Sequence, residues 1–268
     1  MRLDDIGGFV LDIDGTLVHR DGATLHVQPG APDVLAKIRA SGRPFVLFTN
    51  GAHGPPESFA AELRAVGLDV GDDELLTPLV SVQFYLRTHH PDGSVIAFLN
   101  DSAREHLERA GVRVAGSDDT EVAAVFVAHV DVVEFPDLER AAWALLHGTP
   151  LLTASYAPSY AGANGPIFSR GAMVTAALAK ASGARPVIVG KPSRAALEAI
   201  SDRIGLPANE LAVIGDDVTM DIALGRLGGA RTILVTSGTS GRVEIDGVAE
   251  SHRPDAVVDG VGELLDWL

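Results

Sequence analysis

Short, uniformly apolar runs that end in acidic or small polar residues recur along this chain, separated by amphipathic stretches of helical period. Toward the two ends the runs are residues 8–13 (GFVLDI), 44–49 (PFVLFT), 186–189 (PVIV), 211–214 (LAVI) and 231–235 (RTILV). Runs this short, with no polar alternation, mark strands buried on both faces. Helical patterns fall at residues 31–40, 55–66, 193–204, 220–227 and 261–268, the second opening on Pro55-Pro56, where a missing N–H is tolerated. Strand and helix in alternation, joined by short loops, predict an α/β fold with a parallel sheet covered on both faces. Aromatic residues make up only 5% of the chain, and small side chains of this kind let helices sit close on a sheet.

The middle of the chain is organised differently. Strand patterns at 94–99, 122–130 and 150–154 are separated by helical patterns at 103–110, 136–146 and 172–182. These elements either extend the same sheet or form an inserted α/β domain, and periodicity alone does not choose between the two. No internal repeat or low-complexity segment interrupts the pattern.

A formal net charge of −15 repels nucleic acid and anionic membrane surfaces. It also disfavours an anionic substrate, unless a metal or a local cation reverses the sign inside the site. The chain has no cysteine, which removes disulfides, thiolate metal ligands and thiol nucleophiles from consideration. No run approaches the length of a membrane span, and the sequence MRLDDIGGFVLDID lacks the apolar core of a signal peptide. A cytoplasmic protein is expected.

Ligands of open parallel sheets gather at the carboxyl ends of the strands, and four such ends carry chemically loaded residues. The first is Asp12-Ile13-Asp14-Gly15-Thr16. A strand period of two would project Asp12 and Asp14 to one side, with Gly15 free to turn the chain. Two carboxylates so close need a cation or a shared proton, a combination that makes a nucleophile beside a general acid and base. An Asx-rich turn explains the same letters.

The second end is Thr49-Asn50, whose hydroxyl and amide donate to phosphoryl oxygens or simply form a polar turn. The third is Gly190-Lys191-Pro192, where lysine supplies positive charge to a site or lies at the surface. A P-loop is excluded there, because Gly183 is too distant and Pro192 replaces the Ser or Thr that would hold magnesium. The fourth is Gly215-Asp216-Asp217-Val218-Thr219-Met220-Asp221. A ligand set of carboxylates without cysteine or paired histidine suits Mg²⁺, while N-capping competes for any single aspartate. The similar letters Gly71-Asp72-Asp73-Glu74 follow no strand and read as a helix start. His19 and His53 lie just past the first two ends and read as loop residues or pocket lining. Residues 237–241 (SGTSG) read as a loop at the rim of the site.

In this order, the four pieces resemble the motifs of the haloacid dehalogenase (HAD) superfamily. The resemblance implies a Rossmann-like core, an aspartyl-phosphate formed on Asp12, and Asp14 as the acid that protonates the leaving group and then activates water. It implies phosphate binding by Thr49, Asn50 and Gly51, charge stabilisation by Lys191, and Mg²⁺ held by Asp12, the carbonyl of Asp14, and Asp216. Asp221 would support the metal indirectly, and Asp217 would be a partial ligand or a helix cap. The second aspartate marks phosphatases of the superfamily rather than its dehalogenases.

The long middle segment resembles the large α/β cap of NagD-like, pyridoxal and 4-nitrophenyl phosphatases. That resemblance implies a core over residues 1–78 and 187–268, a cap over 79–186, a small phosphorylated metabolite as substrate, and a homodimer through the cap. Two departures stand out: Gly51 where such proteins often have a second Asn, and TASYA at 153–157 where they often have ATNPD. A phosphomutase using the same aspartate and a non-catalytic phosphometabolite-binding protein remain rival readings, separable by release of phosphate.

Overall fold

Phe9, Val10 and Leu11 leave no polar face for water, and the strand they form lies in the interior of a sheet. The computed structural model describes residues 2–22, 24–117, 119, 121–160, 167–240 and 248–268. It divides the chain into two units, one made of Met1–Thr49, Pro56–Leu76 and Lys191–Leu268, the other of Asn50–Pro55 and Thr77–Gly190.

The first unit holds a six-stranded sheet in the order Ala256–Val258, Arg231–Val235, Leu211–Gly215, Gly8–Leu11, Phe45–Phe48, Leu75–Leu76. Every pairing is parallel. Counted along this unit, the order is doubly wound and reverses direction between Gly8–Leu11 and Leu211–Gly215, the place where such sheets bind ligands. One face of the sheet, with Phe9, Leu11, Leu47, Ile214 and Ile233, packs on the helices Ala31–Ala40 and Pro56–Ala65. The buried positions Ala31, Val34, Leu35 and Ile38 recur at the spacing that puts one helical stripe on a sheet.

The second unit has its own parallel sheet, in the order Val187–Ile188, Leu151–Thr153, Ala124–Val127, Ser94–Phe98, Arg113–Val114. Its helices Phe135–Leu146 and Arg170–Ser182 cover a cluster that includes Phe98, Val125, Val127 and Leu151. The middle segment is therefore not an extension of the first sheet, and the fold is a Rossmann-like core with an inserted α/β cap domain. Among the described residues no helix is long and apolar enough to cross a membrane.

Some local expectations change. The strand Val187–Ile188 pairs with Leu151–Thr153 in the inserted sheet, so Lys191 does not come off a strand of the core sheet. An antiparallel hairpin, Val18–Asp21 with Thr24–Val27, follows the first strand. Its polar, mostly exposed sequence VHRD carries no apolar run to announce it. The helix expected at 220–227 is a π-helical turn, Val218–Ile222, leading into Ala223–Gly228. The last helix is a 3₁₀ segment, Val261–Asp266. Asp72–Glu74 is the expected helical start, a single 3₁₀ turn that opens with the Gly71 amide donating to Glu74.

Candidate active site

The register of the two central strands builds the site. Leu11 pairs with Ile214, and the Asp12 amide donates to the Ile214 carbonyl at 2.9 Å, so the next residues out, Asp12 and Gly215-Asp216, leave the sheet side by side. Carboxylate oxygens of Asp12, Asp216 and Asp221 lie within 4.8 Å of one another, and all three residues are buried. Lys191 enters this cluster from the chain's return to the core. Its Nζ donates to Asp12 Oδ1 at 2.5 Å and to Asp221 Oδ1 at 2.7 Å, and its side chain is only 3% exposed.

Close backbone approach makes room for the carboxylates. A Cβ at Gly15 or at Gly238 would collide with the Asp216 carboxylate, and one at Gly215 would collide with that of Asp221. Gly15 also has φ +88°, in the left-handed region that glycine enters freely. The loop after Arg231–Val235 then wraps Asp216. The Thr239 amide donates to Asp216 Oδ2 at 2.5 Å, the Ser240 amide to the Asp216 carbonyl at 3.0 Å, and Ser237 Oγ to the Gly15 carbonyl at 2.8 Å. The rim loop expected from residues 237–241 is thus part of the site's wall through Ser240, while Gly241 lies outside the described residues. Asp217 has another task. Its Oδ1 accepts from the amides of Thr219 and Met220 at 2.6 and 3.1 Å, capping the π-helical turn.

Asp12 and Asp14 differ in environment, because the strand ends at Leu11 and its alternation does not reach them. Asp12 is buried. The Asp14 side chain is 45% exposed, outside the three-carboxylate cluster, and accepts from Arg20 Nε at 3.3 Å. Thr49 is buried at the end of Phe45–Phe48, its amide donating to Leu76 at 3.2 Å. Asn50 and Gly51 belong to the inserted unit, where Asn50 Oδ1 packs close to Gly190. His53 is exposed and lies edge-on to His129, 6.2 Å between ring centres. His19 is exposed on the hairpin. In the loop at 153–157, the Thr153 hydroxyl donates to the Ser155 carbonyl at 2.9 Å and accepts from Thr175 at 3.0 Å, a structural role.

Burial raises the Asp12 carboxyl well above the ordinary carboxylate range, against the pull of Lys191 and with the push of Asp221 and Asp216. Burial also raises Asp221, again opposed by Lys191, and raises Asp216, opposed by the Thr239 N–H. For Lys191 burial works toward a lower value, but Asp12 and Asp221 outweigh it and hold the ammonium charged. With all three carboxyls ionised against one ammonium, two negative charges would stand in excess, which is the repulsion that helps raise Asp12 and Asp216. A hard divalent cation on carboxylate oxygens matches both the donor set and the charge. Among the described residues, the group able to hold it is Asp12, Asp216 and Asp221, so the side chain of Asp221 joins the expected set and that of Asp14 stays apart.

Comparison with known proteins gives this arrangement its family. A model described as haloacid dehalogenase-like hydrolase matches residues 9–113, and one described as HAD-hydrolase-like matches residues 188–264. The chain belongs to the haloacid dehalogenase-like hydrolases, among the large-cap phosphatases that act on phosphoric monoesters. It is 28% identical to the ribonucleotide monophosphatase NagD of Escherichia coli over 97% of this chain and 98% of that protein. It is 24% identical to the sugar-phosphatase AraL of Bacillus subtilis over 96% and 91%. Among solved structures, a p-nitrophenyl phosphatase from Archaeoglobus fulgidus superposes with a TM-score of 0.86 at 27% identity, over 98% of this chain and all of that one. A 4-nitrophenylphosphatase from Thermotoga maritima reaches a TM-score of 0.88 at 24% identity over 98% of each chain, a likeness of fold.

Proposed function

We propose that the chain is a magnesium-dependent phosphatase that hydrolyses a small phosphorylated metabolite through an aspartyl-phosphate on Asp12. The observation that carries this reading is the buried cluster at the switch point of the sheet, in which Lys191 bridges Asp12 and Asp221 beside Asp216. The relatives named as phosphatases of nucleotides and sugars support the substrate class.

An oxygen of Asp12 attacks phosphorus as the bond to the leaving-group oxygen breaks, and Asp14 gives that oxygen a proton. Asp14, now a carboxylate, takes a proton from water, whose oxygen attacks the aspartyl-phosphate and releases inorganic phosphate with Asp12 restored. Lys191 pulls the Asp12 carboxyl toward its ionised form against the burial that raises it, and balances the charge of the transferring group. Thr49 is assigned to a phosphoryl oxygen. Asp12, Asp216 and Asp221 would hold Mg²⁺, which when bound supplies the positive charge that brings a phosphate dianion to an acidic protein.

Phosphate release from a panel of phosphorylated metabolites, in magnesium and in EDTA, tests the reading. Release from at least one compound in magnesium alone is expected, together with acid-stable capture of labelled phosphoryl on wild-type protein and none on Asp12→Asn. Isomerisation of a hexose phosphate without release would favour the mutase instead, and binding without any reaction would favour a binding protein.

A homodimer through the inserted domain belongs to the same proposal. Its support is the helix Phe135–Leu146, which leaves Phe135, Trp143 and Leu146 exposed within one arc of its surface.

A further inference from the structure

The hairpin that follows the first strand carries a cation whose partner is the second aspartate. Arg20 lies on Val18–Asp21, and its guanidinium makes two separate contacts, Nε to Asp14 Oδ1 at 3.3 Å and Nη2 to Glu62 Oε2 at 3.0 Å. Glu62 stands on the helix Pro56–Ala65. The hairpin itself is tied to the aspartate's turn, with the Gly15 amide donating to the Val18 carbonyl at 2.7 Å and a backbone bridge between Asp14 and Val18. Arg20 is thus fixed at both ends, by its backbone to the turn and by Glu62 to the helix.

We infer that Arg20 is a positioning residue for Asp14, with Glu62 as its brace. The inference rests on the phosphatase reading above. A half-exposed aspartate turns freely about its side-chain bonds, and a proton donor must hold one geometry in the transition state. Arg20 takes Oδ1 and fixes the plane of the carboxyl. Among the described residues Oδ2 accepts no hydrogen bond, so Oδ2 is the oxygen left to carry the proton. In the first step the Oδ2–H bond breaks as the leaving-group oxygen gains that proton and loses its bond to phosphorus. In the second step Oδ2 regains a proton from the attacking water. Lysine could not reproduce the two directed contacts, because a guanidinium presents its N–H groups in a fixed fork and an ammonium does not.

Leaving-group dependence separates this role from a structural one. 4-Nitrophenyl phosphate and phenyl phosphate share a ring, but phenolate is the poorer leaving group and depends more on the proton. The parameter kcat/KM reports the phosphorylation step alone. Arg20→Met is expected to lower kcat/KM for phenyl phosphate by about tenfold or more, a part of the hundredfold or more that a placed general acid supplies. The loss for 4-nitrophenyl phosphate should stay within about threefold. Glu62→Gln, which leaves Arg20 in place, should show the same selectivity at smaller size and carries the test if Arg20→Met does not fold. In an Asp14→Asn background Arg20→Met should add no further selective loss. Equal losses on both esters, or none, in an active enzyme would overturn the assignment of Arg20. A wild-type chain that cleaves neither ester in magnesium would instead overturn the phosphatase reading on which it stands.

Discussion

The Nζ of Lys191 donates to Oδ1 of Asp12 at 2.5 Å, and both groups are buried. Neither is stable there alone. An isolated buried ammonium or carboxylate gives up its charge, whereas here Asp12 and Asp221 hold the ammonium charged and Lys191 opposes the rise that burial gives the Asp12 carboxyl.

Lys191→Met should therefore harm folding and catalysis together. It leaves three neighbouring carboxylates with no cation, a loss of about 3 kcal/mol by analogy with other broken buried pairs. Magnesium should restore part of that stability, so the fall in melting temperature is expected to be larger in EDTA. Turnover should fall by at least about a hundredfold even in saturating magnesium. A variant that melts like wild type in EDTA would show that the cluster does not need the ammonium.

Asp12→Asn keeps the shape and still offers Lys191 an acceptor. Phosphate release should drop by about ten-thousandfold or more, as expected when a nucleophile is removed, while circular dichroism and substrate binding by calorimetry persist. Near-normal release would sink the assignment of Asp12.

Asp216 and Asp217 are neighbours with different tasks, and magnesium titration should separate them. Asp216→Asn removes a member of the carboxylate cluster and should weaken magnesium activation by an order of magnitude or more. Asp217→Ala removes a cap, should cost about 1 kcal/mol of stability, and should leave the magnesium dependence close to that of wild type. The reverse pattern would exchange the two roles.

These two aspartates also mark where the sequence stops being readable. The strand 211–214, its glycine and the acidic run after it are local signals, and so is the run ending at Asp12. That Asp12 and Asp216 emerge side by side needs the order of the strands, which the doubly wound pattern supplies in outline. What was not legible is side-chain geometry. Asp12 and Asp14 are two residues apart, yet one is buried on Lys191 and the other faces Arg20, because the strand stops before both. The strand bearing Arg20, VHRD, is polar at every position after Val18 and so has no period to detect. The strand before Lys191 is apolar in either sheet, and only pairing assigned Val187–Ile188 to the inserted one.

The exposed arc of Phe135–Leu146 gives a prediction about assembly. Trp143 is 64% exposed, a costly position for indole in an isolated domain. If the helix pairs with its copy, wild-type protein sediments as a dimer and Trp143→Glu as a monomer with an unchanged melting curve. A wild-type monomer at high concentration would remove the dimer from the proposal.

Gly238 supplies the sharpest test of how the site is held open. A Cβ there would meet the Oδ2, Cγ and Cβ of Asp216, a buried side chain that Gly15 also approaches closely. Alanine leaves the backbone bonds of the loop intact but obliges the carboxylate to move, and its burial leaves it little room. Gly238→Ala should therefore raise the magnesium concentration needed for half-maximal activity by about tenfold, a displacement of under an ångström at a positioned group being enough to matter. Gly116→Ala is the matched control, since a Cβ at Gly116 meets nothing within 4 Å, and it should leave the magnesium dependence unchanged. An unaltered magnesium requirement in Gly238→Ala would mean that the Asp216 carboxylate is not fixed by this loop.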